Sequence, residues 1–281
     1  MGISPRVGAF FLAAWFAGAS PAAASPLTLE VVDADVTALL TSIARLSGLD
    51  LILDDSVKGR ISLSLKDVEP EEALMLIGKA KGLALDDGQL ESLLAYLALL
   101  AKWNRVYNLT AVRSAPDMLT HHLLDSLAVL RPLQAQTQGR ALKLLDAGSG
   151  GGLPGVALAI CRPELDVTCV DAVAKKAAFI QQAAVTLKLP NLRGLHARVE
   201  SLGGPFDLIT SRAFASLADF TAWSTQALAP HGVWMAMKGK LPDEEIAALP
   251  PDVEVFHVEH LTVPGLNAER CIIWLRKRAG Q

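Results

Sequence analysis

Residues 142–155, LKLLDAGSGGGLPG, run a short apolar stretch into glycines at 148, 150, 151 and 152 and a proline at 154. The apolar stretch has the length of a buried strand, the glycines allow a turn that a Cβ would block, and proline suits a first helical position. The segment therefore predicts a strand, a tight turn and a helix. Such a unit buries its apolar residues only inside a larger α/β sheet, and the downstream sequence supplies one. Strands are predicted at 142–147, 167–171, 194–198, 206–211 and 233–238, with helices at 154–161, 175–187 and 217–228. Apolar segments at 253–258 and 271–275 follow, able to form an antiparallel edge. The fold class expected is α/β, a doubly wound and mostly parallel sheet.

Upstream, Leu90, Leu93, Leu94, Leu97 and Leu100 keep one helical face apolar, and a second amphipathic helix is expected over 116–130. Together they form a helical cap over 84–140. The first 24 residues have a different character: a lone Arg6, an apolar run over 7–19, then Ala22-Ala23-Ala24 before Ser25. This is the layout of an export signal with an A-x-A cleavage site, and the run is shorter than the ~20 residues of a spanning helix. Over 25–83 short strands at 29–32, 49–53 and 61–65 and helices at 36–46 and 70–80 predict a small α+β module with no catalytic cluster. No Pro/Gly/Ser linker separates this module from residue 84 onward.

Cys161, Cys169 and Cys271 make no CxxC pair, so they are expected as buried thiols, and no metal site is suggested. Residues 1–84 carry a net charge of −3 and residues 85–281 a net charge of 0, so a nucleic-acid partner has to be met by a local patch.

In a doubly wound sheet a ligand sits beyond the carboxyl ends of the strands, beside the first strand-helix turn. Asp171 closes the second strand of that sheet, at the offset where an acidic side chain takes ribose hydroxyls. A dinucleotide loop of the GxGxxG type needs glycine where this chain has Leu153, and there is no GxxxxGK[ST] phosphate loop. Asp146-x-Gly148-x-Gly150-x-Gly152 instead fits the turn of S-adenosylmethionine (SAM) enzymes. A tight structural turn in an inactive domain would read the same way in isolation.

The blocks AYLALLAKWNRVYNLTAV, MLTHHLLDSL, LLDAGSGGGLPGVALAI, VDAVAKKAAFIQQ, RVESL, FDLITSRAFASL and MKGKLPDEEI stand in the order seen in the RsmG/GidB family, which the chain resembles from about 83 to 277. The resemblance implies a Rossmann-like SAM-dependent methyltransferase acting on a guanine N7 of 16S rRNA in the small ribosomal subunit. It further implies cofactor contacts at Gly148, Leu153, Val199, Glu200 and Arg212; Asp146, Gly150, Gly152 and Asp171 join them from the turn and ribose arguments. Residues 27–83 are similar to the short N-terminal module of secretins and TonB-dependent receptors, which implies envelope protein contacts. The two resemblances conflict over compartment, cytoplasmic for the enzyme and periplasmic for the module. A SAM enzyme with a small-molecule substrate, or an exported interaction protein with a passenger methyltransferase, are the other readings.

Guanine N7 offers an in-plane lone pair, so no residue is required as a general base and the work expected of the protein is positioning and electrostatics. Arg212, Lys238 and Lys240, at or past strand ends, are candidates for phosphate or the base. Asn108, Thr110, His122, Asp125 and Ser126 are candidates for the pocket wall. His121-His122 stands where the family pattern expects Arg-His. Lys175 and Lys176 read equally as a solvated helix turn. A monomer is expected.

Overall fold

The computed structural model describes residues 27–35, 60–68, 85–212, 214–263, 266 and 268–278. The chain divides into two compact units, Met1–Leu85 and Asp86–Gln281. In the first, β1 (Leu27–Asp35) pairs antiparallel with β2 (Arg60–Val68), Leu29 opposite Leu65 and Ala34 opposite Ile61. Both strands are longer than the sequence pattern predicts. The segment expected as an export signal, the strand expected at 49–53 and the two helices of the module lie outside the described residues.

The second unit opens with α1 (Asp87–Tyr107), whose start is set by a capping box. The Asp86 carboxylate accepts from Gln89 N at 2.8 Å, and Gln89 Oε1 accepts from Asp86 N at 3.1 Å, which satisfies two amides that would otherwise lack partners. A second helix, α2, covers 115–127, α-helical at Ala115–Met118 and Asp125–Leu127 with a π-helical turn at Leu119–Leu124 between them. α3 (Leu130–Thr137) completes the cap. The single helix expected over 116–130 is thus irregular, and the reason lies at its carbonyls. Ser126 Oγ donates to His122 O at 2.6 Å and Arg212 Nη1 donates to His121 O at 2.9 Å, so side chains occupy carbonyls of the π-helical turn.

The sheet contains β3 (Lys143–Ala147), β4 (Asp166–Asp171), β5 (Leu192–His196), β6 (Phe206–Arg212), β7 (Leu228–Lys238), β8 (Val253–Leu261) and β9 (Arg270–Lys277). Their order is β5-β4-β3-β6-β7-β9-β8. The first five are parallel, and β9 and β8 form the antiparallel edge. α4 (Gly155–Cys161), α5 (Ala174–Thr186), α6 (Leu217–Ser224) and α7 (Asp243–Ala247) connect them. This is the doubly wound α/β sheet read from the pattern, and strand order reverses at β3, next to the glycine turn.

Two boundaries differ from the pattern. β5 begins at Leu192 because Asn191 Nδ2 donates to Ala159 O at 3.0 Å and Leu165 O at 3.1 Å, locking the strand entrance, and it ends at His196, two residues before the expected end, ahead of a 3₁₀ turn at Val199–Ser201. The helix expected through 228 stops at Ser224, whose hydroxyl accepts from Trp234 Nε1 at 2.9 Å; Leu228 then pairs with Phe206 in the sheet. Satisfying the buried indole outweighs the helical pattern of 225–228. Trp234, Leu145, Ile209 and Ile273 are fully buried in the sheet's core.

Candidate active site

A cavity of about 250 Å³ opens at the carboxyl ends of the parallel strands. Its wall includes Gly148, Asp171, Val199, Glu200, Phe214 and Trp223. Gly148 has φ +67, and a Cβ there would lie 2.5 Å from Phe214 Cδ2, so glycine is needed both for the turn and for the ring's seat. Phe214 is in turn held edge-on by Phe220 and Trp223, with ring centroids 6.0 and 5.6 Å away. The 40% exposed Trp223 leaves an aromatic face at the mouth. The cavity thus offers an apolar wall for a ring and carboxylates for hydroxyls, a combination that fits a nucleoside.

Asp171 organises the turn as well as the wall. Its Oδ2 accepts from Gly150 N at 3.0 Å and its Oδ1 from Val173 N at 2.8 Å, while Lys176 Nζ stands 3.7 Å from Oδ2. A carboxylate has about four lone-pair sites, so capacity for ribose hydroxyls remains. Lys176 is therefore an ion-pair partner of the wall, and Lys175 is exposed.

Asp146 corrects the expectation placed on it. Its side chain is fully buried and is not part of the wall, with Oδ2 accepting from Gly155 N at 2.8 Å at the start of α4 and Oδ1 without a hydrogen-bond partner. Gly152 and Leu153 are buried as well and are not among the residues of the wall. Pro154 sits just before α4 rather than inside it. Burial pushes the Asp146 carboxyl up from its usual 3.8 to about 7. In the folded chain it holds a proton to near neutrality, whereas the unfolded chain releases it near pH 4. The stability this contributes is full below about pH 4 and is lost as the pH rises through about 7. Thermal melts of Asp146→Asn and the parent should show the variant gaining on the parent between pH 5 and pH 8. An equal difference at both pH values would show that the carboxyl titrates normally.

The structure brings Arg212, His122, Asp125 and Thr110 together and adds Arg270. Asp125, with 4% of its side chain exposed, accepts from Arg212 Nη1 at 3.2 Å and Arg270 Nε at 2.8 Å. His122 Nε2 is 2.7 Å from Thr110 Oγ1. Burial first, and the Arg212 charge second, lower its pKa from 6.5 to about 4, so the imidazole is neutral at pH 7. Arg212, expected also at the cofactor, is committed to α2 and is not a residue of the cavity wall.

Other candidates fall outside this cluster. Ser126 is fully buried and its hydroxyl caps His122 O, so it lines no pocket. Asn108 is the left-handed cap of α1 at φ 50, exposed, with Oδ1 accepting from Arg113 Nη2 at 3.1 Å. Lys238 Nζ donates to both carboxylate oxygens of Glu245, at 2.8 and 3.0 Å, and so is not open to phosphate; Lys240 is exposed. Of the thiols, Cys169 and Cys271 are buried and Cys161 is only half-buried, with burial pushing it up to about 12. Sequence reasoning missed Phe214, Trp223, Arg270 and Asn104, whose Oδ1 accepts from Thr110 N at 2.8 Å. Only Asn104 carried a local signal, as a polar residue on an apolar helix followed by a turn.

The family model described as rRNA small subunit methyltransferase G matches residues 89–273. A protein named ribosomal RNA small subunit methyltransferase G from Acidovorax ebreus (strain TPSY) is 68% identical over 214 residues, covering 73% of this chain and 95% of its own. The protein of the same name from Paracidovorax citrulli (strain AAC00-1) is 63% identical over 213 residues, covering 72% of this chain and 88% of its own. The family match begins after the segments expected as an export signal and a secretin-like module, so it lends those two expectations no support. A match that takes in the cap, the glycine turn and the antiparallel edge, with identity this high, is decisive: this chain belongs to the rRNA small subunit methyltransferase G family.

Proposed function

We propose that the chain transfers the methyl group of SAM to N7 of a guanine in 16S rRNA of the small ribosomal subunit, and does so in the cytoplasm, where SAM and ribosomal subunits are found. The reading is carried by the cavity at the carboxyl ends of the strands standing on the same sheet edge as a cluster of one carboxylate and two guanidiniums. SAM, when bound, supplies an electrophilic methyl group on sulfur. Gly148 and the Phe214 and Trp223 rings form its apolar seat, and Asp171 and Glu200 take hydroxyls. Asp146 and Gly152 support the turn from behind.

Arg212 and Arg270 share a single buried carboxylate, which leaves one positive charge in excess and attracts the RNA backbone. His122, neutral at pH 7 and bound to Thr110, acts as a wall and not as a base. Guanine N7 already presents its lone pair, so these residues orient the base and take no proton from it. Residues 84–281 carry the reaction; 25–83 are read as a separate interaction module on the strength of sequence resemblance.

Incubating the protein with labelled SAM and small ribosomal subunits, naked 16S rRNA or small molecules tests the reading. Label in 16S rRNA, released as 7-methylguanine on hydrolysis, is the expected result. RNA without label overturns it.

A further inference from the structure

Tyr96 lies in the middle of α1, on a helix whose other buried residues are Leu93, Leu100 and Asn104. The residue is fully buried and its hydroxyl donates to Gly151 O at 2.6 Å, a partner 55 positions away in the glycine turn. Burial pushes its pKa well above the usual 10, so the proton stays and the group acts as a donor. The ring is fixed by Phe179, 6.3 Å between centroids, which also meets Trp103 at 5.5 Å. Leu100, about one turn along α1, has Cδ1 3.0 Å from where a Cβ on Gly151 would sit.

The turn is therefore held from two sides. On the β4 side Asp171 takes Gly150 N, and on the cap side Tyr96 takes the carbonyl of the next residue. A phenylalanine would fill the same volume. A buried hydroxyl adds a cost that is repaid only when its acceptor stands within reach, so the donor favours one placement of the turn over others. Resting on the reading that this turn seats SAM, we infer that Tyr96 is a positioning residue: from the cap helix it holds the Gly151 carbonyl and sets the glycine turn in the arrangement that accepts the cofactor.

Tyr96→Phe in the full chain tests this, with Thr137→Val as control because Thr137 also gives a buried hydroxyl, to Leu133 O at 2.7 Å, within α3. The net worth of one neutral hydrogen bond predicts a rise of about 3- to 10-fold in KM for SAM and in Kd for S-adenosylhomocysteine in Tyr96→Phe, with kcat at saturating SAM within about 2-fold of the parent. Thr137→Val should lose thermal stability comparably and leave KM and Kd where they were. If Tyr96→Phe melts lower but keeps the parent's KM and Kd, Tyr96 is packing alone and the inference falls. A parent chain that binds no S-adenosylhomocysteine would instead bring down the SAM reading, and this inference with it.

Discussion

Replacing Asp125 with alanine is expected to cost about 3 kcal/mol of stability and to abolish RNA methylation. The carboxylate is 4% exposed, whereas the Arg212 and Arg270 side chains keep 18% and 22% of their surface in contact with water. Removing it leaves two guanidiniums with no counter-charge in a half-buried space. Breaking such a pair from one side costs about 3–5 kcal/mol, and the residual hydration of both arginines puts this case at the lower end. For a unit of this size the fall in Tm should be about 6–12 °C, read from a thermal melt at pH 7. Because Arg212 also donates to His121 O, the π-helical turn should loosen with it. Adding Arg270→Ala to Asp125→Ala should cost less than the sum of the single changes, since one unpaired charge leaves with its arginine. A melt within about 1 °C of the parent would show that water already screens the cluster.

The second large effect is on the cofactor. Gly148→Ala places a methyl group 2.5 Å from Phe214 Cδ2 at a residue whose φ is +67. An alanine in the left-handed region costs about 1–2 kcal/mol, and displacing a packed ring adds about 1–3 kcal/mol. The ring's easiest escape is toward the cavity it lines. The backbone strain is present with or without ligand, whereas a ring pushed into the cavity opposes the cofactor, which predicts a loss of about 10- to 100-fold in affinity for SAM or S-adenosylhomocysteine, measured by calorimetry. The melt should fall as well, because the left-handed strain is present without ligand. Unchanged affinity would mean that the cofactor does not use this wall.

The inner parallel strands were legible because each is a short apolar run with a turn signal after it, whereas the edge strand β5 exposes Arg193, Leu195 and His196 and begins two residues before the pattern predicts. β3 and β4 end at the residues the pattern predicts, Ala147 and Asp171. The end of α6 was not legible: only the sheet shows that Trp234 needs the Ser224 hydroxyl and that Leu228 pairs with Phe206. Within the site, Gly148, Asp171, Val199 and Glu200 line the cavity. Asp146 shares the same motif but is not in the wall, and its Oδ2 is taken by the amide of Gly155.

What the sequence determined by itself is therefore the glycine turn, the sheet around it and the family, all of them properties of local spacing and of order along the chain. Tertiary structure alone decided the charge pairing. Arg270 meets Asp125 across 145 positions, Lys238 is taken by Glu245, and Arg212 pairs with α2. Apolar periodicity states only that a residue is buried, whereas a charge is satisfied by whichever opposite group the fold brings within about 3 Å, and that partner carries no signature in the neighbouring sequence.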